Sequence, residues 1–314
     1  MPKLLFYLVF LPLSYLPWPV MYALADGLEK LNWYVIGYRK SVVLENIRRS
    51  FPAYDASRVD QLARDYYHFF FDSVVESIKL FTMDAGAAVR RCKVVNPEVV
   101  DHLREAGRSF IAYGAHFSNW EIAALSFSPQ FTGHTVMGIY SPLKNAAMDQ
   151  LFRENRGRTG TKIVSRRVID AYYAAHDGEP TVEFYVADQS PSNVIWQKLH
   201  WTTFLGQTTA FLAGPERHAV RYDRPVYYMN LRRKSRGHYT AKLIPITDDP
   251  RRTEPGFITE AFVRRLEHEI RRAPATWLWS HRRWKRDVPL EVSKLLEDTS
   301  YLPPEYDPDV RYER

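Results

Sequence analysis

Cysteine is almost missing from this chain: Cys92 stands alone among 314 residues. A lone thiol makes no internal disulfide and no multi-cysteine zinc site, which fits a reducing cytoplasm. There is also no low-complexity tract, no G-x-S-x-G elbow, no G-x-x-x-x-G-K-[ST] phosphate loop and no H-E-x-x-H zinc helix. These absences remove a disordered or collagen-like chain and withdraw support from a serine hydrolase, a P-loop ATPase and a common zinc enzyme. What remains is a globular composition, 46% hydrophobic and 25% charged, long enough for one large α/β unit or two modest ones. Lys and Arg number 43 against 36 Asp and Glu, a net charge of +7. Such a balance favours anionic partners: phospholipid headgroups, acidic carrier proteins or nucleic acid.

From Leu4 to Leu24 the chain is uncharged and rich in Leu, Phe, Tyr, Val and Trp, close to the ~20 residues that a bilayer-spanning helix needs. Pro12, Pro17 and Pro19 interrupt it, and proline inside a helix removes a hydrogen bond and clashes with the preceding turn. Residues 1–25 therefore read as a membrane-anchoring or interfacial segment: a kinked span, a shorter helix, or a wedge at the interface. A secretory signal ending at Ala23-Leu24-Ala25 and a buried core helix are the alternatives. Lys30, Arg39, Lys40, Arg48 and Arg49 follow the segment, so the positive-inside tendency keeps the body on the cytoplasmic side.

Apolar spacing predicts helices over 41–50 and 57–81, the second capped by Asp55 or Ser57. After Pro97, β-rich runs (SFIAYGA, HTVMGIY, TKIV, TVEFYVA) alternate with helical ones (EIAALSF, 144–156, RRVIDAYYAAH). That alternation implies βαβ units and a mostly parallel sheet. Strands over 225–231 and 238–246 flank a basic turn as a hairpin would, and 256–272 reads as an Arg-rich helix. Residues 26–290 form the α/β body, and 291–314 a peripheral tail.

The segment Tyr113-Gly-Ala-His116-Phe-Ser-Asn-Trp-Glu121 lies directly after one apolar strand and before one apolar helix, the junction where open α/β sheets place ligands. Imidazole titrates near ~6.5 and serves as a general base at neutral pH. Glu121, in the first turn of the helix, is placed to hold the ring of His116. Ser118-x-x-Glu121 also fits a capping box with a purely local role. Asp188, in Ala187-Asp188-Gln189-Ser190-Pro191, ends another strand and faces the same crevice, although such a sequence is also an ordinary turn signal. Between them lie Arg153, Arg156 and Arg158, suited to a phosphate or a developing oxyanion, or simply to solvent. From Arg264 to Arg286 eight Lys or Arg and two Glu are interleaved with Trp277, Trp279 and Trp284, a pattern that suits a headgroup boundary or an acidic carrier protein.

At these residues the chain resembles the late acyltransferases of lipid A biosynthesis, the lauroyl and myristoyl transferases within the lysophospholipid acyltransferase superfamily. The resemblance spans roughly residues 1–287. It rests on the apolar start, Asn46-Ile-Arg-Arg-Ser-Phe-Pro52, Gly114-Ala-His-Phe-Ser-Asn-Trp-Glu121, Ala187-Asp-Gln189, Phe204-Leu-Gly206 and Trp277-Leu-Trp-Ser-His-Arg-Arg-Trp-Lys285. It implies a mixed, mostly parallel, glycerolipid acyltransferase-like sheet flanked by helices, bound to the inner membrane. It also implies direct transfer from an acyl carrier protein thioester, or from acyl-coenzyme A, to a hydroxyl of a lipid A precursor, with no metal or cofactor. His116 would be the base, Glu121 its support, Arg156 or Arg158 the oxyanion or phosphate ligand, and Asp188 the holder of that arginine or of the acceptor. The rival expectations are an aminolipid or glycerophospholipid acceptor, and a non-catalytic basic protein. Nucleic-acid binding would leave the apolar start without a purpose, so no nucleic acid is expected.

Overall fold

The computed structural model describes residues 6–143, 145–175, 178–191 and 194–297. Residues 1–5 of the apolar start and 298–314 of the tail lie outside it. A π-turn Phe6–Phe10 runs into helix α1 (Leu11–Tyr15). The chain breaks at Leu16-Pro17, which is extended, and restarts as α2 (Trp18–Leu31). The prolines thus divide the apolar run, and among the described residues no helix is long and apolar enough to cross a membrane.

Helices α3 (Lys40–Ser50) and α4 (Ala56–Lys79) follow, with Asp55 as the cap of α4, accepting from the amide of Arg58 at 2.7 Å. After α5 (Ala85–Arg91) come β1 (Cys92–Val94), α6 (Pro97–Glu105), β2 (Phe110–Gly114), α7 (Trp120–Phe127) and β3 (Thr135–Tyr140). Next are α8 (Ala146–Gly157), β4 (Lys162–Ser165), α9 (Ile169–Ala175), β5 (Thr181–Val186), β6 (Leu199–Phe204), β7 (Gln207–Leu212) and α10 (Gly214–Tyr222). The chain closes with β8 (Val226–Ser235), β9 (His238–Thr247), α11 (Phe257–Arg272) and α12 (Leu290–Glu297).

Seven strands form one sheet in the order β1-β9-β8-β2-β5-β3-β4, parallel throughout except for the β8–β9 hairpin. The mixed, mostly parallel α/β architecture is the one anticipated. Strand β2 sits at the centre and is buried at every residue. Its side chains alternate, Ile111 and Tyr113 joining one core, Phe110 and Ala112 the other, as burial on both faces of a parallel sheet requires.

Strands β6 and β7 make a separate antiparallel ribbon around the tight turn Leu205-Gly206, both residues at positive φ. Val292 of α12 is buried with Leu199, Trp201 and Ala210, so body contacts continue past residue 290. Two arginines at the basic turn of the β8–β9 hairpin are held internally: Arg236 and Arg233 grip the fully buried Asp72.

Candidate active site

Parallel pairing of β2 with β5 sets Gly114 opposite Val186. Two residues beyond each of these, with an alanine between, stand His116 and Asp188, so the sheet register alone carries both to the same crevice at the strands' carboxyl ends. Oδ1 of Asp188 accepts from the backbone N–H of His116 at 2.9 Å and lies 2.6 Å from its Nδ1. Oδ2 accepts from the indole N–H of Trp277 at 2.8 Å. Burial works against ionisation of Asp188, yet the adjacent imidazole and these hydrogen bonds prevail and hold its carboxyl down to about 2. A carboxylate at Nδ1 makes that nitrogen the donor and leaves Nε2 as the acceptor, facing the amide of Gln189 at 3.1 Å.

The carboxylate on the imidazole is therefore Asp188. Glu121 turns instead to Arg156, accepting from Nε at 2.8 Å and from Nη2 at 2.5 Å, and it also accepts from the indole of Trp120 at 3.2 Å. Trp120 lies edge-on against His116, with ring centroids 4.8 Å apart. The cap of α7 is Asn119 and not Ser118: its Oδ1 accepts from the amides of Glu121 and Ile122, each at 3.2 Å. Its amide in turn donates to the buried Glu76 of α4 at 2.7 Å. Ser118 instead makes the turn itself, with φ at 56°.

The two arginines left open by the sequence separate cleanly. Arg156 lines the cavity beside Glu121, which strengthens its charged form against burial. Arg158 points away to the carbonyls of Leu80 and Met83, clamping the turn after α4.

Residues 276–283 form a strap over the dyad. Phe117 and Trp277 make an antiparallel bridge, the amide of Ser118 donates to the carbonyl of Thr276 at 2.8 Å, and that of Leu278 donates to His116 at 3.2 Å. Trp277 and Trp279 are buried, so the expectation of a tryptophan belt at a headgroup boundary is corrected. Both rings fold inward onto the core, and neither is available to lipid. Much of the neighbouring charge is also consumed internally: Arg264 pairs with Glu260 and Glu267, Arg271 with Glu267, and buried Arg283 donates to the carbonyl of Ala210 at 2.6 Å. Burial lowers the guanidinium of Arg283 to about 10, with Asp188 pulling the other way. His281, held by burial down to about 4, accepts from the amide of Ser190 at 3.0 Å and so fixes the loop that carries Asp188.

A cavity of 640 Å³ opens beside His116. Its walls are mostly apolar, with Phe127, Val136, Ile139, Phe184 and Met229 among them. Arg153, Arg166, Lys198 and Arg217 also line it, and each is exposed. An apolar cavity bearing cations suits a long hydrocarbon chain attached to an anionic group. Away from the cavity, Asp26, His68 and Asp72 are the one metal-ligand grouping among the described residues. Arg236, bonded to both carboxylates, and Arg233, bonded to Asp72, already neutralise it.

Residues 3–286 match the family model for bacterial lipid A biosynthesis acyltransferases. The chain belongs to that family. Among curated proteins it is similar to the lipid A biosynthesis lauroyltransferase of Escherichia coli (strain K12), 25% identical over 285 residues that cover 86% of this chain and 87% of the relative. Family membership makes this acyltransferase an enzyme, and the cavity beside His116 is its candidate active site. The strap, Asn119, and Phe204, which packs edge-on against Trp277 with ring centroids 5.8 Å apart, are the supports of the site whose physical roles sequence reasoning missed. Matching offsets from two strand ends, Gly114-Ala-His116 and Val186-Ala-Asp188, were the available signal for the dyad.

Proposed function

We propose that this acyltransferase moves a fatty chain from an acyl carrier protein thioester to a hydroxyl of a lipid A precursor, on the cytoplasmic side of the inner membrane. Residues 1–25 would serve attachment, 26–290 catalysis, and 291–314 the periphery. The observation that carries the reading is the His116–Asp188 pair, with Nδ1 held and Nε2 turned toward an apolar cavity.

In this scheme the acceptor hydroxyl displaces the Gln189 amide from Nε2 and gives its proton to His116 as its oxygen attacks the thioester carbonyl. Asp188 stays ionised and steadies the imidazolium. Arg156, pinned through Nε and Nη2 by Glu121, offers its remaining edge to the oxyanion or to a substrate phosphate. The C–S bond then breaks, and the leaving sulfur takes the proton from Nε2. No acyl-enzyme forms, in keeping with the absence of a nucleophile motif. The exposed cations lining the cavity favour an anionic donor and a phosphorylated acceptor over neutral ones.

The test is incubation of the purified protein with acyl carrier protein and coenzyme A thioesters against a panel of acceptors. The scheme predicts acylation of a lipid A precursor from the carrier-protein donor. Turnover of an aminolipid or glycerophospholipid, with none of lipid A precursors, would reject the acceptor assignment.

A further inference from the structure

We infer that the chain lies flat on the lipid surface, held by an apolar stripe that runs along α2 and ends in a rigid tip at residues 34–36, well beyond the anchor segment itself. The inference rests on the membrane reading proposed above and specifies its contact surface. Val20, Leu24, Leu28 and Leu31 are exposed at steps of four, four and three. At 3.6 residues per turn they share one arc of about 80°. The stripe is continued by Tyr34, Val35 and Ile36, exposed at 72%, 74% and 63%. A contiguous apolar surface of this kind on a folded chain marks an interaction site.

The opposite face of α2 is committed to the body. Met21 and Ala25 are buried against Val75 of α4. The hydroxyl of Tyr22 donates to Glu76 at 3.1 Å, and Asp26 pairs with Arg236, which also holds Asp72. Threading α2 through a bilayer would strip a carboxylate and a guanidinium of their partners in hydrocarbon, at high cost. Lying flat keeps every one of these contacts.

The tip is prebuilt. Asn32 accepts from the amide of Tyr38 at 2.8 Å, and Gly37 reverses the chain at a φ of 66°. Trp33 is buried beneath, with Lys40 at 3.8 Å and Arg64 at 4.3 Å from its ring. Lys30 and Arg39 are exposed beside it. An apolar tip flanked by cations is complementary to an interface of anionic headgroups over acyl chains.

The test uses the full chain, whose single native cysteine stays unlabelled. Cys92 is buried, its thiol pushed up to about 12, and it escapes labelling. A fluorophore is placed in turn at Leu24→Cys, Leu28→Cys, Leu31→Cys and Val35→Cys, and its depth is read with nitroxide lipids in phosphatidylglycerol–phosphatidylethanolamine vesicles. All four should sit at one shallow depth, roughly 5–10 Å into the interface. A depth that passes through the bilayer centre along the series would establish a span and overturn the inference. So would four unquenched probes on vesicle-bound protein. The double variant Val35→Asp/Ile36→Asp should partition at least tenfold more weakly onto these vesicles, with unchanged transfer to detergent-dispersed substrate; unaltered partition removes the tip from the contact. Should Leu24→Asp break a dimer without affecting vesicle binding, the stripe belongs to self-association. Failure of the native chain to bind any vesicle would instead defeat the membrane reading.

Discussion

Asp188 accepts from both nitrogens that His116 offers it, the backbone amide at 2.9 Å and Nδ1 at 2.6 Å, through a single carboxylate oxygen. That leaves the other oxygen to Trp277 and fixes the imidazole in position and tautomer together. Asp188→Asn keeps the shape but removes the negative charge beside the imidazole, and its NH2 must face one of the N–H donors the carboxylate accepted, the His116 backbone or the Trp277 indole. Turnover should fall by roughly 10³-fold or more with an unchanged far-ultraviolet spectrum; a loss of under tenfold would show that the carboxylate does not steer the base.

The same carboxylate links the site to acid stability. Its folded pKa lies below its ordinary value of 3.8, at about 2. Its contribution, roughly 2 kcal/mol, is therefore present above pH ~4 and is lost as pH falls toward about 2. Trp277→Phe removes one hydrogen bond to the charged form, typically worth about 1.5–3 kcal/mol. Acid unfolding of that variant should begin at higher pH than in the native protein, while the two curves lose their pH-dependent difference where the carboxyl is protonated in both. Superimposable acid titrations would mean that the indole does not support the charge.

Arg156 and Arg158 should separate by experiment as they do in space. Arg156→Lys cannot reproduce a two-point grip on Glu121, and kcat/KM should drop at least tenfold with little change in Tm. Arg158→Ala frees two carbonyls after α4 and should lower stability by about 1–3 kcal/mol while sparing kcat/KM. The reverse pattern would exchange their roles.

Glu121→Gln weakens the hold on Arg156 without touching His116. Substrate-saturated turnover should decline together with kcat/KM, and lysine replacement of Arg156 should add little further loss in the Glu121→Gln background, since the two act as one unit. Fully additive losses in a double-mutant cycle would deny the coupling.

How far the sequence revealed this site depends on whether its contacts are local. The alternation of apolar strands and helices fixed β2, β3, β4 and β5 to within about a residue or two, because each pattern is self-contained. His116 was legible at the end of β2 for the same reason. Its partner was not, since the nearest carboxylate in sequence, Glu121, sits in the first turn of α7 and faces Arg156, whereas Asp188 arrives through strand pairing across 72 residues. Trp277 and Trp279 resembled an interfacial belt because basic neighbours surround them; only the strap's return against Phe117 buries them. The β6–β7 ribbon escaped notice because His200, Thr202, Thr203, Gln207, Thr208 and Thr209 blur the apolar signal that marks a strand.

If His116 drives acyl transfer to a lipid A precursor, its loss is read in the lipids that the cell makes. The most direct test is a mass spectrum of lipid A from cells carrying the native gene, a deletion, or the His116→Ala allele expressed at native level. One fatty chain should be missing in the deletion and missing equally with His116→Ala, whose protein remains folded and vesicle-bound. Lipid A from the His116→Ala cells that matches the native spectrum would contradict that role for His116.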